Sequence, residues 1–355
     1  MSFLFIGSTG DNAGHTLLTW AIIRRLVKKG LKVGFMKPFG TRPTQVDGLW
    51  TDQDAILFKE ALALSEPLGE ICPYPNAQWD GKEIEPLDFI EDLKRSTGRL
   101  SEGKDVLVIM GSKHIFFDEP SRPLPDISLV PLLDADFVLI HRHRQISKSI
   151  YSILSVCSLL RENMRGIIFN RVPLEALEPL RDRVVPSLVQ KGVPVVAALP
   201  EDPVLSFRSL REIKEILRGE LLCGEQGLER PVASMTVGSH DLPVDLMLFK
   251  RAYNKIVLLS YREETGGEGD MSGRPLAGIL LTGGRHPAPQ LIEAARKKSI
   301  PLILVKDDTF AGLERLEQSP SVLSYRDEVK IRRFTELLDR ENGLDALIGR
   351  LRLHS

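Results

Sequence analysis

A glycine-rich stretch near the start of the chain has the residue types and spacing of a phosphate-binding loop. Residues 2–6 are mostly apolar, residues 7–16 read GSTGDNAGHT, and a helical pattern follows at once. In this strand–loop–helix layout, loop N–H groups and the helix N-terminus bind an anion. The candidate phosphate-binding residues are therefore Ser8, Thr9, Gly10, Asp11, Asn12, Ala13, Gly14, His15 and Thr16.

The loop departs at two positions from the usual pattern G-x-x-x-x-G-K-[ST]. Gly14 and Thr16 match, whereas Thr9 stands at the first glycine position and His15 at the lysine position. A lysine is a permanent cation, but an imidazole with a pKa near 6.5 is mostly neutral at pH 7. Backbone N–H groups still bind an anion, while phosphoryl transfer, which depends on charge stabilisation, suffers most. We expect a phosphate-binding loop with little ATP turnover; the alternative is an ordinary strand–helix turn without a ligand.

Other polar residues follow predicted strands or open predicted helices. Lys37 ends the second predicted strand, and ligands of open α/β sheets bind outside the carboxyl ends of strands. Asp52 and Asp54 open a helix, where the macrodipole favours acidic residues even without a ligand. His141 and His143 have the spacing of a metal pair, but no carboxylate is close in sequence, so a basic exit loop is the preferred interpretation.

The composition limits the class of protein. The chain has 355 residues, a hydrophobic content of 43% and a net charge of −1, which favours two folded domains and gives no reason to expect nucleic acid or an acidic membrane surface as partner. Cys72, Cys157 and Cys223 are too few and too scattered for a disulfide framework. The first residues lack the basic segment of a signal peptide, and no apolar run reaches the roughly 18 residues of a membrane span. We expect a cytoplasmic protein.

Apolar runs alternate with helical patterns through the first part of the chain, which predicts a doubly wound, mostly parallel α/β sheet. We divide the chain into a first domain over residues 1–222, a second, smaller α/β domain over residues 231–318, and C-terminal helices over residues 319–355. Within the second domain the pattern predicts a helix near residues 242–252. A hydrophilic loop covers residues 263–274.

The order of these motifs resembles the dethiobiotin-synthetase-like ATPases, in the form found at the N-terminus of long phosphotransacetylases. The matching residues are Ile6-Gly7-Ser8-Thr9 with Gly14 and Thr16, Met36-Lys37-Pro38, Asp52 and Asp54, residues 166–172 and residues 199–203. Further along, the chain resembles the DRTGG domain at residues 278–284, Pro289, Ile300-Pro301 and Asp308-Thr309-Phe310. The resemblance covers residues 2–315 and implies a P-loop NTPase-like fold followed by a DRTGG-like domain.

The resemblance also implies roles for individual residues. Thr16 would contact phosphate or Mg²⁺, Lys37 would contact phosphate or substrate, and Asp54 would bind the metal. Asn170 would read the adenine edge. In the second domain, a ligand site or an interface would be formed by Thr282, Gly283 and Gly284.

Three positions depart from the pattern of these families. His15 replaces the loop lysine, Met110 stands where a metal-binding glutamate is expected, and Tyr261 stands where the DRTGG signature has its aspartate. Hard cations are bound by several oxygen ligands and the methionine side chain supplies none, so a Mg²⁺ site is doubtful.

Three functions remain open on this basis. The first is a non-catalytic or weakly catalytic regulatory protein that senses ATP, another nucleotide or another phosphorylated metabolite. The second is an active ATP-dependent ligase or synthase of the dethiobiotin or cobyrinate type, and the third is a scaffold with an empty site. We expect a homo-oligomer that can act on a metabolic enzyme as partner. Acetyl transfer is not expected, because the C-terminal catalytic domain of long phosphotransacetylases has no counterpart before Ser355.

Overall fold

The chain forms two compact units. A computed structural model describes residues 1–10, 12–75, 85–116, 122–143, 145–237, 256–260, 276–319, 323 and 327–353. The first unit combines residues 1–202 with residues 323–355, and the second is the continuous segment 203–322. The division expected from sequence differs in two respects, because residues 203–222 group with the second unit and the C-terminal helices with the first.

The first unit is built on a six-stranded sheet in which all neighbouring strands are parallel, in the order β2-β5-β1-β6-β7-β8. Its strands are β1 (Ser2–Ser8), β2 (Val33–Met36), β5 (Val106–Met110), β6 (Asp136–Arg142), β7 (Met164–Val172) and β8 (Val195–Pro200). The near-continuous apolar runs of β1 and β5 are almost wholly buried, as expected for central parallel strands. The predicted doubly wound α/β class is confirmed.

Helices flank this sheet and connect its strands. They are α1 (His15–Lys28), α2 (Gln53–Ala61), α3 (Leu68–Ile71), α4 (Pro86–Leu100), α5 (Asp126–Leu132), α6 (Ile146–Leu159), α7 (Leu174–Pro179) and α8 (Val185–Gln190). A π-helical turn, Leu180–Val184, joins α7 to α8, so the single helix predicted over residues 174–191 is irregular. Pro179 and Pro186 bracket this turn and lack the N–H that regular helical bonding needs.

The polar sequence from Thr41 to Thr51 predicts a loop before α2, but the segment forms a hairpin. Strands β3 (Pro43–Val46) and β4 (Leu49–Asp52) pair antiparallel around Asp47 and Gly48, whose φ angles are 50° and 81°. Two positive φ values at an Asp-Gly pair are typical of a type I′ turn, which matches the twist of a hairpin. The Asp-Gly dipeptide was the available sequence signal.

The C-terminal segment completes the first unit. The sequence pattern predicts an amphipathic helix over residues 325–338, and helix α13 (Glu328–Arg340) lies there; α14 (Gly343–Ile348) follows it and precedes a short tail. Their buried apolar residues are Ile331, Phe334, Leu337, Leu338, Leu344, Leu347 and Ile348. Three ion pairs connect the C-terminal segment to the rest of the unit: Arg25–Asp339 at 2.7 Å, Arg333–Asp202 at 2.7 Å and Arg352–Asp136 at 2.6 Å.

The second unit contains a five-stranded sheet in the order β10-β15-β14-β13-β12, in which only β14 and β15 are parallel neighbours. Its strands are β10 (Glu220–Cys223), β12 (Ser234–Val237), β13 (Ile256–Ser260), β14 (Leu276–Leu281) and β15 (Leu302–Leu304), and β9 (Arg208–Ser209) pairs separately with β11 (Pro231–Val232). The helices are α9 (Pro203–Ser206), α10 (Leu210–Ile216), α11 (Pro289–Lys297) and α12 (Thr309–Gln318).

Two assignments near the domain boundary are corrected by this sheet. The sequence pattern predicts a helix at residues 209–217 that closes the first domain, but Leu210 and Ile213 belong to the apolar core that contains Leu280 and Ile303 of the second unit. Residues 220–223, placed before the second domain, form its edge strand β10. The helix predicted near residues 242–252 and the loop at 263–274 lie outside the described residues, as does Tyr261. In the part of the chain that is described, no helix is both long and apolar enough to cross a membrane.

Candidate functional site

The glycine-rich loop connects β1 to α1 at the carboxyl edge of the parallel sheet. Gly14 is the N-cap of α1 with φ 96°, and it has no side chain to cap the helix. The first N–H groups of a helix have no partner within it, so those at the start of α1 face the loop as anion donors. A Cβ atom at Gly14 would lie 2.5 Å from Asn170 Nδ2, so glycine is required there for space as well as conformation.

Side chains outside the loop hold it in place. Asn170 Nδ2 donates a hydrogen bond of 2.8 Å to the carbonyl of Ala13. Thr9 Oγ1 lies 2.5 Å from His141 Nδ1, and Ser8 Oγ donates to the carbonyl of Lys113 at 2.7 Å. Asn170, which the family resemblance assigned to adenine recognition, therefore positions the loop through its amide nitrogen. Its role toward adenine stays a prediction, and Asp11 lies outside the described residues.

His15, at the position of the usual loop lysine, is buried and 7% exposed. Burial, followed by the positive charge of Lys37, lowers its pKa to about 4. The imidazole is therefore neutral at physiological pH. Because Lys37 acts electrostatically on His15, the two residues belong to one site.

A buried ionic cluster lies beside the loop, centred on Lys37. Its Nζ donates to Asp54 Oδ2 at 2.5 Å, to Asp52 Oδ1 at 2.9 Å and to Thr41 Oγ1 at 3.1 Å. The other oxygen of Asp54 accepts a bond of 3.1 Å from Thr16 Oγ1, which links the cluster to the first turn of α1. The side chains of Lys37 and Asp52 are wholly buried, and Asp54 is 5% exposed.

The charges in this cluster stabilise one another. Burial alone would lower the pKa of Lys37, but Asp52 and Asp54 outweigh it and raise the pKa to about 12. Burial would raise the pKa of Asp54, but Lys37 and then Arg42 bring it down to about 2. One ammonium therefore faces two carboxylates, and the cluster carries a net charge of −1.

Asp52 has a larger role than its position at a helix start indicated. It is the N-cap of α2, accepting a bond of 2.8 Å from the backbone N–H of Asp54. Its Oδ2 accepts bonds of 2.7 Å from the backbone N–H groups of Thr41 and Arg42. The sequence revealed the cap but not these longer-range partners.

The residues around Asp54 fit a divalent cation poorly. Both carboxylate oxygens of Asp54 already have donors, Lys37 and Thr16. Met110 ends β5 fully buried and supplies no oxygen. Within the described ranges, no group of three or more His, Cys, Asp and Glu side chains is arranged to hold a metal ion.

A cleft of about 390 Å³ adjoins the loop, lined by residues that include Thr9, His141, Arg142, Lys148 and Tyr151. Arg142 and Lys148 give this lining basic side chains, which favour an anionic occupant. His141 Nδ1 contacts Thr9 Oγ1 in the same cleft. The second histidine, His143, is buried, and burial lowers its pKa.

The predicted site of the second unit follows β14. Gly283 and Gly284 have φ angles of 87° and 69°, and their N–H groups donate to the carbonyls of Asp307 and Val305. Thr282 Oγ1 lies 2.8 Å from Thr309 Oγ1. These contacts join the loop after β14 to the loop after β15 at the carboxyl ends of two parallel strands; a ligand or interface there stays a prediction.

The parallel sheet and the loop–helix junction define a P-loop-type α/β protein. The family profile described as AAA domain, AAA_26, matches residues 3–209, and the profile described as DRTGG domain matches residues 212–319. The chain belongs to the AAA_26 family and carries a DRTGG domain after the P-loop domain. The resemblance noted from sequence is confirmed.

Similar proteins include phosphate acetyltransferases, which align with most of this chain, and a dethiobiotin synthetase, which aligns with a smaller part of it. Phosphate acetyltransferase of Nitrosomonas europaea is 22% identical over 99% of this chain and 52% of its own length, and that of Deinococcus radiodurans is 25% identical over 89% and 46%. ATP-dependent dethiobiotin synthetase BioD of Thermodesulfovibrio yellowstonii is 32% identical over 30% of this chain and 47% of its own length. The chain spans about half the length of these relatives.

Solved structures with a similar fold include the cell division protein MinD of Aquifex aeolicus. It has a TM-score of 0.36 and 17% identity, over 58% of this chain and 84% of its own. A MobB protein homolog of Bacillus stearothermophilus has a TM-score of 0.21 and 18% identity, over 54% of this chain and 97% of its own.

Proposed function

We propose that this protein is a regulatory, ligand-sensing protein whose P-loop binds a nucleotide or another phosphorylated metabolite with little or no turnover. The observation that carries the proposal is the position of the Lys37 ammonium, bonded to both Asp52 and Asp54 while Asp54 also holds Thr16. An internal cation thus occupies the carboxylates that a metal ion would need.

Ligand binding that does not require Mg²⁺ follows from this arrangement. A divalent cation at Asp54 would have to displace either Lys37 or Thr16, and Met110 offers no replacement ligand. The N–H groups at the start of α1 need no metal to bind phosphate. Because Lys37 is paired with two carboxylates and His15 is neutral, these backbone N–H groups are the principal donors to the anion.

Calorimetry on the full chain tests the proposal. ADP, ATP and inorganic tripolyphosphate would be titrated with Mg²⁺ and, separately, with EDTA. We expect binding in both conditions. Because His15 is neutral throughout, any change in affinity between pH 7.5 and 6 should come from protonation of the terminal phosphate, whose second pKa is about 6. Absence of heat with all three compounds would refute the proposal.

A matched pair of substitutions locates the binding. Thr16→Val removes the hydroxyl that contacts Asp54 and should weaken tripolyphosphate binding about tenfold, the effect of one hydrogen bond to a charged group. Thr19→Val, one turn along α1, removes a buried hydroxyl and should leave the affinity unchanged. Equal effects would place the ligand elsewhere.

An active ATP-dependent ligase or synthase is the second candidate. Thr16, Lys37 and Asp54 are all present and in contact, and a dethiobiotin synthetase is among the relatives. Mg²⁺-dependent ATP turnover that disappears in Thr16→Val would favour this function over the regulatory one.

The remaining expectations complete the proposal. We propose that the protein is a homo-oligomer in the cytoplasm. Its DRTGG domain would bind a ligand or another subunit through Thr282, Gly283 and Gly284. This binding would regulate a metabolic enzyme. Light scattering of the purified chain gives the oligomeric state. A mass of one chain across the working concentration range would contradict that part.

A further inference from the structure

The β3–β4 hairpin, residues 43–52, exposes two apolar residues next to its turn. Leu49 is 69% exposed and Trp50 36% exposed, and the residues of β3 opposite them are exposed or half-buried. Only Thr51 and Asp52, at the end of β4, are buried. Packing therefore fixes the base of the hairpin and leaves its tip in solvent.

The base is held by polar bonds from the ionic cluster. Asp52 lies at the end of β4, and its Oδ2 accepts the backbone N–H groups of Thr41 and Arg42, which lead into β3. Lys37 donates to Thr41 Oγ1 and to Asp52 Oδ1. Both legs of the hairpin are thus tied to Lys37.

The same cluster reaches the P-loop through Asp54. Its carboxylate joins Lys37, on one side, to the Thr16 hydroxyl on the other. The continuous chain of contacts is therefore Thr16, Asp54, Lys37, Asp52 and the hairpin. Thr16, Asp54, Lys37 and Asp52 are all buried, so the bonds among these four residues are shielded from solvent.

We propose that phosphate occupancy of the P-loop is transmitted along this chain of contacts to the β3–β4 hairpin, making the hairpin the element that reports the ligand. This inference rests on the proposed function, since it needs an anion at the loop. A phosphate group competes with Asp54 for the Thr16 hydroxyl and for the Lys37 ammonium. When Lys37 turns toward the phosphate, Thr41 loses a donor and Asp52 loses its cation, so the hairpin shifts.

Trp50 provides the probe. The experiment uses the full chain with the substitution Trp79→Phe, at a position outside the described residues. The remaining tryptophans are then Trp50 and Trp20, and Trp20 is only 4% exposed, so acrylamide hardly quenches it. Acrylamide quenching and amide hydrogen exchange of residues 41–52 would be followed during tripolyphosphate titration in EDTA, with calorimetry run in parallel. We expect the quenching constant to change with the same half-saturation as the heat.

Two variants test the route of transmission. Thr41→Val removes one link to Lys37 and should reduce the quenching response about two- to tenfold, the range for one hydrogen bond. Thr44→Val, in β3 away from the cluster, is the matched control and should keep the full response. Hydrogen exchange reports whether the hairpin stays formed in each variant.

The outcomes separate this inference from the proposed function. Heat of binding without any change in Trp50 quenching or in exchange of residues 41–52 would overturn the inference and leave the proposed function standing. Equal responses in Thr41→Val and Thr44→Val would overturn the route through Lys37. Absence of heat would refute the proposed function, and this inference with it.

Discussion

The two units place a glycine-containing loop in equivalent positions but surround it differently. Each loop follows a strand with a parallel neighbour and precedes a helix, and each contains a glycine with positive φ. Around Gly14 the ionised side chains Lys37 and Asp52 are wholly buried. Around Gly284 the ion pair Arg315–Asp307 is 44% and 26% exposed.

Loop shape alone therefore does not define a site. The charges in the cluster of the first unit are buried. In the protein interior each electrostatic interaction is stronger than in solvent, and the loss of a partner costs more free energy. The loop of the second unit is fixed by backbone bonds and a hydroxyl pair, which tolerate changes in charge. The predictions below test this contrast.

The largest effect is expected from the C-terminal helices, because the first unit is discontinuous in sequence and the second is not. A chain ending at residue 322 loses seven buried apolar side chains of α13 and α14, each worth about 1.5–3 kcal/mol. Their sum is comparable to or larger than the total stability of a typical domain. We expect no cooperative urea transition from Trp20 emission, whereas replacing residues 203–322 by a Gly/Ser linker should retain one. A normal transition in the shortened chain would contradict this assembly.

Removal of the buried cation should have the next largest effect. Lys37→Met leaves Asp52 and Asp54 without their ammonium and should lower the free energy of unfolding of the first unit by about 3–5 kcal/mol. Lys306→Met, on the exposed loop after β15, should change it by less than about 0.5 kcal/mol. Urea denaturation compares the two. Similar losses would show that the contrast between the loops is false.

The buried imidazole predicts a pH dependence of stability. With a pKa lowered from 6.5 to about 4, His15 is neutral when folded but protonated when unfolded between these values. Its contribution is complete above pH 6.5 and is lost as the pH falls toward 4, by about 3 kcal/mol. His15→Gln should lack this loss, and His286→Gln, on the exposed surface of the second unit, should keep the wild-type profile. Parallel profiles for all three proteins would contradict the burial argument.

Sequence reasoning recovered what local patterns encode. The P-loop, the parallel sheet and the position of Lys37 at a strand end follow from short motifs and periodicity. The ion pair between Lys37 and Asp52 could not be predicted in this way, because it depends on how the end of β2 and the start of α2 meet in the folded chain. Asp52 in isolation is adequately explained as a helix cap, which it also is.

Contacts between residues far apart in the sequence could not be predicted either. Asn170 contacts Ala13 from a position 157 residues away, and no pattern near either residue indicates it. That α13 packs against the first unit could not be predicted for the same reason. The amphipathic pattern of a helix shows that one face is buried but not which part of the protein covers it. The match of the first family ends at residue 209 and does not reach this segment.

The smallest expected effects come from the glycines themselves, and they compare the loops most directly. Gly14→Ala places Cβ 2.5 Å from Asn170 Nδ2 in a backbone with φ 96°, so the Asn170–Ala13 bond must break as well. Gly284→Ala meets nothing closer than 3.5 Å, so only its φ of 69° opposes the substitution. We expect losses of about 2–3 kcal/mol and about 1 kcal/mol in the free energy of unfolding, respectively. Asn170→Ala is the control, because it removes the obstacle and should make Gly14→Ala less costly in the double variant than in the single one. If the two substitutions proved simply additive, Asn170 would not be the residue that requires glycine at position 14.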